Sequence, residues 1–273
     1  MISVNTNKGA MVALQTLNRT NDQMDKTQNA IATGLKVASA KDNGALFAIA
    51  NKMRSDVGAY DRVRESADRA ASILDTGIAA GESIMELLNE MKGKALAGSQ
   101  AGNSTSAQAA LAADFVQLRD QIASVIANAS FDGANMINAT PSAAVSLGDA
   151  AGGNTITIAG ANLSTGSTII TTIASVLTDA TTSAAALTAT NNSITALGTQ
   201  LATWGAGAKR LDVHRTFVGK LQDALNNGIG SIVDADLAKE SAKLQALQVK
   251  QQLGVQALSI ANSSSQTALS LFR

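Results

Sequence analysis

VDADLAKESAKLQALQVKQQLGVQALSIANSSSQTALSLFR, residues 233–273, closes the chain, and its reading decides how the rest is understood. Asp234 and Asp236 stand where a helix would begin: their oxygens accept orphan backbone N–H groups, and their charge suits the positive end of the helix dipole. Behind them Leu237, Leu244, Leu247, Val255, Leu258 and Ala261 recur at helical spacing as one narrow apolar stripe flanked by Gln, Ser, Lys and Ala. Most helical stability in proteins comes from tertiary packing, so a seam this narrow needs a partner to cover it.

The opposite end of the chain offers that partner. Residues 5–33 read as a helix in which Ala10, Leu17, Met24 and Ile31 stand seven apart, with Ala13 and Leu14 widening the stripe. Gly34 suits the left-handed residue that ends such a helix, and residues 35–44 read as a connection in which Asp42 or Asn43 caps the next one. From Ala45 to Ala97 one row runs Met53, Tyr60, Ala67, Leu74, Gly81, Leu88, Ala95 and a second runs Val63, Ala70, Gly77, Ile84, Met91. At the helical rise this element is about 80 Å long, which predicts a rod rather than a globule. A glycine costs about 1 kcal/mol against alanine inside a helix. Gly77 and Gly81 on the apolar rows therefore predict close approach by another helix. Glu65–Arg69 and Glu90–Lys94 are spaced as i,i+4 ion pairs.

Residues 98–106, GSQAGNSTS, mark a turn before a third helix from Ala107 to Ala127. After Pro141 the apolar period changes to two, at Val145 and Leu147 and again at Ile156 and Ile158, which predicts a β-hairpin at about 140–168. Residues 168–228 return to a helical pattern with Leu197, Trp204, Leu211, Val218 and Leu225 seven apart. The fold class is thus mainly α: an elongated antiparallel helical bundle or coiled coil with a small β-hairpin region between the N- and C-terminal helical halves. Its internal helix packing is assigned to Tyr60, Leu74, Gly77, Gly81, Leu88, Leu197, Trp204, Leu211 and Leu225.

Composition narrows the function by exclusion. Lys plus Arg and Asp plus Glu both number 21, so no net field draws nucleic acid or an anionic membrane, and aromatics at 3% provide few platforms for stacking bases. There is no cysteine and one histidine, His214, which sits between Leu211 and Phe217 and reads as structural. No catalytic residues, metal ligands or cofactor are expected, and the chain is not expected to be an enzyme. No run of eighteen apolar residues predicts membrane insertion, and the N-terminus lacks the basic and apolar regions of a Sec-type signal peptide.

Val4-Asn5-Thr6-Asn7, the stretch GLKVASAKDNGALFAIANKMRS from Gly34 to Ser55, FDGANMIN from Phe131 to Asn138, and the C-terminal DADLAKESAKLQALQVKQQLGVQALSIAN with its closing LSLFR together resemble bacterial flagellin. The resemblance covers roughly residues 1–138 and 180–273, in the family's order. It implies a structural subunit that self-assembles into the flagellar filament for swimming motility, secreted to the extracellular filament after export through the flagellar type III apparatus. The implied partners are other flagellin subunits, filament cap and hook-junction proteins, and an export chaperone with the type III apparatus. Residues 1–34 and 234–273 would form the inner coiled-coil domain, 35–44 and 229–233 the links, and 45–228 the helical wall. With only 140–168 where many flagellins carry outer domains, the chain resembles a short form. Self-assembly is assigned to Leu14, Leu17, Met24, Ile31, Leu237, Leu244, Leu247, Val255, Leu258, Leu271, Phe272 and Arg273. Two alternatives stay open: a hook-filament junction protein, and a chemoreceptor-like coiled-coil signalling module, which would need a membrane anchor.

Overall fold

The computed structural model describes residues 7–171 and 177–270. In chain order these form α1 (Lys8–Thr33), α2 (Gly44–Gly98), α3 (Thr105–Asn128), β1 (Ala144–Leu147), β2 (Thr155–Ile158), α4 (Ala180–Val233) and α5 (Leu237–Ser270). The fold is mainly α, with one small antiparallel sheet between the helical halves. The run Val4 to Thr6 and the closing Leu271, Phe272 and Arg273 lie outside the described residues.

Each helix begins where a short polar side chain accepts an orphan backbone N–H. Asn7 Oδ1 accepts from Ala10, Asn43 Oδ1 from Leu46, Ser104 Oγ from Ala107, Asp179 Oδ1 from Thr182, and Asp236 Oδ1 from Lys239. Gly34 ends α1 at φ 70, the left-handed conformation that costs glycine nothing. The Asp179 cap corrects one boundary: α4 starts at Ala180, not at Thr168, and the described residues between 168 and 179 are not helical. Asp179 also accepts from the Thr182 hydroxyl, so the Thr-rich approach is spent on turn bonds that compete with the helix. The expected link 229–233 is helical as well, being the last turn of α4.

Packing divides the chain into two units, residues 1–55 with 223–273 and residues 56–222. In the second unit, α2 buries Val63, Ala67, Ala70, Leu74, Gly77, Gly81, Ile84, Leu88, Met91 and Ala95, alternating three and four apart, and α4 answers with Leu197, Trp204, Leu211 and Val218. Phe115, Ile122 and Ile126 of α3 complete this core. Tyr60 and Leu225 are only half-buried. The sheet inverts one expectation. Its register sets Ser146 against Ile156 and Ala144 against Ile158. The buried face of β1 is therefore Ala144 and Ser146, while Val145 is exposed. Two small residues on β1 leave room for the two isoleucines of β2, which period-two reading alone does not anticipate.

The hairpin is received by α4. Trp204, wholly buried, donates its indole N–H to Ala159 O at 3.0 Å, and a Cβ on Gly207 would meet Ile158 at 3.0 Å. Gly81 is approached by α4 as the spacing predicts: a Cβ there would lie 2.8 Å from Leu201 Cδ2 and 3.6 Å from Trp204 Cζ3. Gly77 is not; its neighbour is Met136, in the turn after α3, at 3.3 Å. Gly81→Leu is expected to overpack this crossing and cost about 1–3 kcal/mol, with Gly81→Ala milder because Leu201 Cδ2 is the end of a rotatable side chain. Thermal melting of the two variants checks this, and equal stability of wild type and Gly81→Leu would contradict the close approach.

The expected i,i+4 ion pairs are replaced. Glu65 pairs with Arg62, Arg69 with Asp132, and Lys94 with Asp114. Five of the six groups are largely exposed and Lys94 is partly so, and helix spacing therefore competes with partners on other turns at little difference in energy.

Candidate functional site

The terminal seam is an antiparallel pair of helices, α1 and α5. Asn7 holds one end: its Oδ1 caps α1 while its Nδ2 donates to Ala261 O of α5 at 2.7 Å. Further along, Gln251 Nε2 donates to Asn21 Oδ1 at 2.8 Å, and a Cβ on Gly254 would meet Leu17 Cδ1 at 3.3 Å. At the other end residues 35 and 234 form an antiparallel bridge, with Lys36 N–H donating to Val233 O and Ala235 N–H to Gly34 O. Val37, Ala50, Ile229 and Val233 are buried, and the first turns of α2 and the last turns of α4 fall in the same unit as the seam.

The geometry sorts the residues assigned to assembly. Leu17, Met24, Ile31, Leu244 and Leu258 are half-buried on the seam and Leu247 is buried. Leu14, Leu237 and Val255 face away, 48%, 50% and 54% exposed. Val255 is a correction to the stripe: strict three-and-four spacing from Leu247 passes through Gln251 and Gly254 to Leu258, leaving Val255 a full helical step off the seam. Leu271, Phe272 and Arg273 fall outside the described residues. Sequence reading missed Thr20 and Thr27, buried on α1. The signal was present as the row Ala13, Thr20, Thr27, Gly34, seven apart, and it was hidden because threonine does not count as apolar. Thr20 satisfies its hydroxyl on Thr16 O, whereas the Thr27 hydroxyl has no partner among the described residues.

Apolar side chains remain on the outer faces of this pair. Met11, Val12, Val249, Leu253 and Ile260 are between 56% and 69% exposed, in addition to the three above. The pair therefore hides only part of its apolar surface, and the remainder is available to another molecule.

In the connection after α1, Asp42 accepts from the Ser39 N–H, the Ser39 hydroxyl and the Ala38 N–H. These bonds, the Ser39 backbone first, together with the Lys26 charge, hold its carboxyl below the ordinary 3.8. A depressed carboxylate contributes stability that is present above its unfolded value and lost as pH falls through its folded value. Protection of the Ser39 amide is thus expected to persist at pH 5 and fall only below pH 3.8. Asp42→Asn should lower it at neutral pH and flatten that dependence; hydrogen exchange followed by NMR measures both.

Among the described residues no group of three or more His, Cys, Asp or Glu is placed to hold a metal ion, and no helix is long and apolar enough to cross a membrane. His214 is half-buried, with Nε2 unpartnered among the described residues.

Residues 4–142 match the bacterial flagellin N-terminal helical region and residues 187–272 the bacterial flagellin C-terminal helical region. The chain belongs to the bacterial flagellin family. It is 47% identical to flagellin FljK of Caulobacter vibrioides over 99% of this chain and 98% of that one, and 38% identical to a flagellin of Brucella melitensis over the whole of both. A crystal structure of Bacillus cereus flagellin superposes with a TM-score of 0.50 at 25% identity, covering 56% of this chain and 88% of the other. As a flagellin the chain is a structural subunit of the extracellular flagellar filament, built from copies of itself. Full-length similarity to flagellins disfavours the junction-protein and chemoreceptor alternatives.

Proposed function

We propose that the α1–α5 seam drives polymerisation. Residues 1–34 and 234–273 form the filament's inner coiled coil, 45–228 its wall, and 35–44 with 229–233 the passage between them. The observation that carries this reading is the incomplete burial of the seam pair, whose outer faces keep Met11, Val12, Leu14, Leu237, Val249, Leu253, Val255 and Ile260 exposed. Neighbouring subunits complete that burial through a heterologous contact that repeats without closing. Leu17, Met24, Ile31, Leu244, Leu247 and Leu258 hold the pair in register, while Leu14, Leu237, Val255, Leu271, Phe272 and Arg273 meet the neighbours. The subunit travels through the flagellar type III apparatus with an export chaperone and adds beneath a cap, above hook-junction proteins.

Purified chain given sheared filament fragments as seeds is expected to lengthen them into helical tubes visible by electron microscopy. The same protein should be a bulk component of filaments sheared from cells. A chain that stays monomeric with seeds at any concentration would overturn the proposal.

A further inference from the structure

Two unpartnered charged faces of the 56–222 unit complement each other. Between Arg69 and Lys92, α2 carries Asp75, Glu82, Glu86 and Glu90 and no lysine or arginine. All four acids are exposed, and none makes an ion pair or side-chain hydrogen bond among the described residues. Of the flanking cations, Arg69 is drawn to Asp132 and Lys94 to Asp114, while Lys92 is exposed without an ion pair among the described residues. Spacings of seven, four and four residues set the four acids on the side of α2 away from buried Ile84, Leu88 and Met91, together with the small residues Ala79 and Gly93. On α4, Lys209, Arg210 and Lys220 surround Val213 and Phe217, which are 61% and 58% exposed, on the side away from Trp204, Leu211 and Val218. These three cations are likewise unpaired among the described residues, since the α4 charge that reaches α2 is Arg215, bound to Asp68.

Within one chain the two faces cannot neutralise each other. Contacts between Asp61 and Gln222, Asp68 and Arg215, and Gly81 and Leu201 set the antiparallel register and put Val213 level with about Ala70. The centre of the acidic stripe lies roughly 20 Å further along the helices at 1.5 Å per residue.

We propose that the acidic stripe of α2 docks on the basic face of α4 in a second copy of this chain. Val213 and Phe217 sit at the centre of that contact, with Phe217 level with Ala79. With the helices of the two copies parallel, the docking shifts the second copy by that same roughly 20 Å along their axis. The contact joins two different faces, so each copy keeps one of each free and the series climbs rather than closing into a ring. Exposed charge pairs of this kind contribute modest energy but strong selection of partner and register. The proposal rests on the filament-forming function.

Charge reversal tests it. A chain carrying Glu82→Lys, Glu86→Lys and Glu90→Lys, and another carrying Lys209→Glu, Arg210→Glu and Lys220→Glu, should each elongate seeds of their own kind at least about tenfold more slowly than wild type. An equal mixture of the two, or one chain carrying all six changes, should recover to within about threefold, because every contact again joins opposite signs. The native chain has no cysteine, so Glu86→Cys with Val213→Cys supplies a second measurement independent of the reversals. Oxidation of polymer should give a ladder of linked copies, while diluted monomer should give no internal link. Reversed chains that elongate like wild type, absence of recovery in the mixture, or absence of the ladder would overturn the interface. Wild-type chain that fails to elongate seeds would instead remove the filament function, and this proposal with it.

Discussion

Trp204→Ala is expected to destabilise the 56–222 unit by about 3–5 kcal/mol, a large share of the stability a domain has. The indole is wholly buried where α2, α4 and the hairpin meet, close to the site a Cβ on Gly81 would occupy. Its removal leaves a cavity between packed helices, and it releases the hydrogen bond to Ala159 O. Ala159 is exposed, so its carbonyl turns to water and the loss of packing dominates. Trp204→Phe separates the two contributions: it keeps a ring and loses the N–H, for a cost nearer 1 kcal/mol. Calorimetry should place the melting of Trp204→Ala roughly 10 °C below wild type, by the usual scaling for a domain of this size. A shift within error of zero would show that the hairpin and α4 do not depend on the indole.

Leu247→Lys is expected to stop polymerisation while sparing the unit that holds Trp204. Leu247 is 4% exposed on the seam, and the groove beside it is lined by Lys26, Lys243 and Lys250. A fourth ammonium there is both desolvated and repelled, at a cost of several kcal/mol. Each 1.4 kcal/mol is tenfold in an equilibrium, so seeded elongation should fall by about two orders of magnitude or more. Leu247→Asp should be less damaging, because the same lysines oppose its charge. Trp204 is the chain's one tryptophan and lies in the other unit, so its fluorescence melt should move by no more than about 0.5 kcal/mol in either variant. Normal elongation by Leu247→Lys would show that the seam does not drive assembly.

Much of this was legible from periodicity. Rows seven apart on α2 and α4 located the core of the 56–222 unit because burial imposes the repeat along the length of two packed helices. Gly34, Asn43 and Asp236 announced helix boundaries because capping is local chemistry. On the seam the same reasoning found Leu17, Met24, Ile31, Leu244, Leu247 and Leu258. It passed over Thr20, Thr27, Gln251 and Gly254, since a thin coiled coil tolerates polar and small residues that no hydropathy count selects.

Other features depend on residues far apart in the chain. That Gly77 faces Met136 and Gly81 faces Leu201 is set by how the turn after α3 and the helix α4 reach α2. The inward face of β1 follows its pairing with β2. Arg69, Lys94 and Arg215 chose partners across elements over those at helical spacing, because exposed ion pairs differ by less than about 1 kcal/mol. Local sequence therefore sufficed for helices, caps, heptad register and family, each governed by neighbours within a few turns. Which charges remain unpaired, and which apolar side chains remain uncovered, is settled by long-range packing.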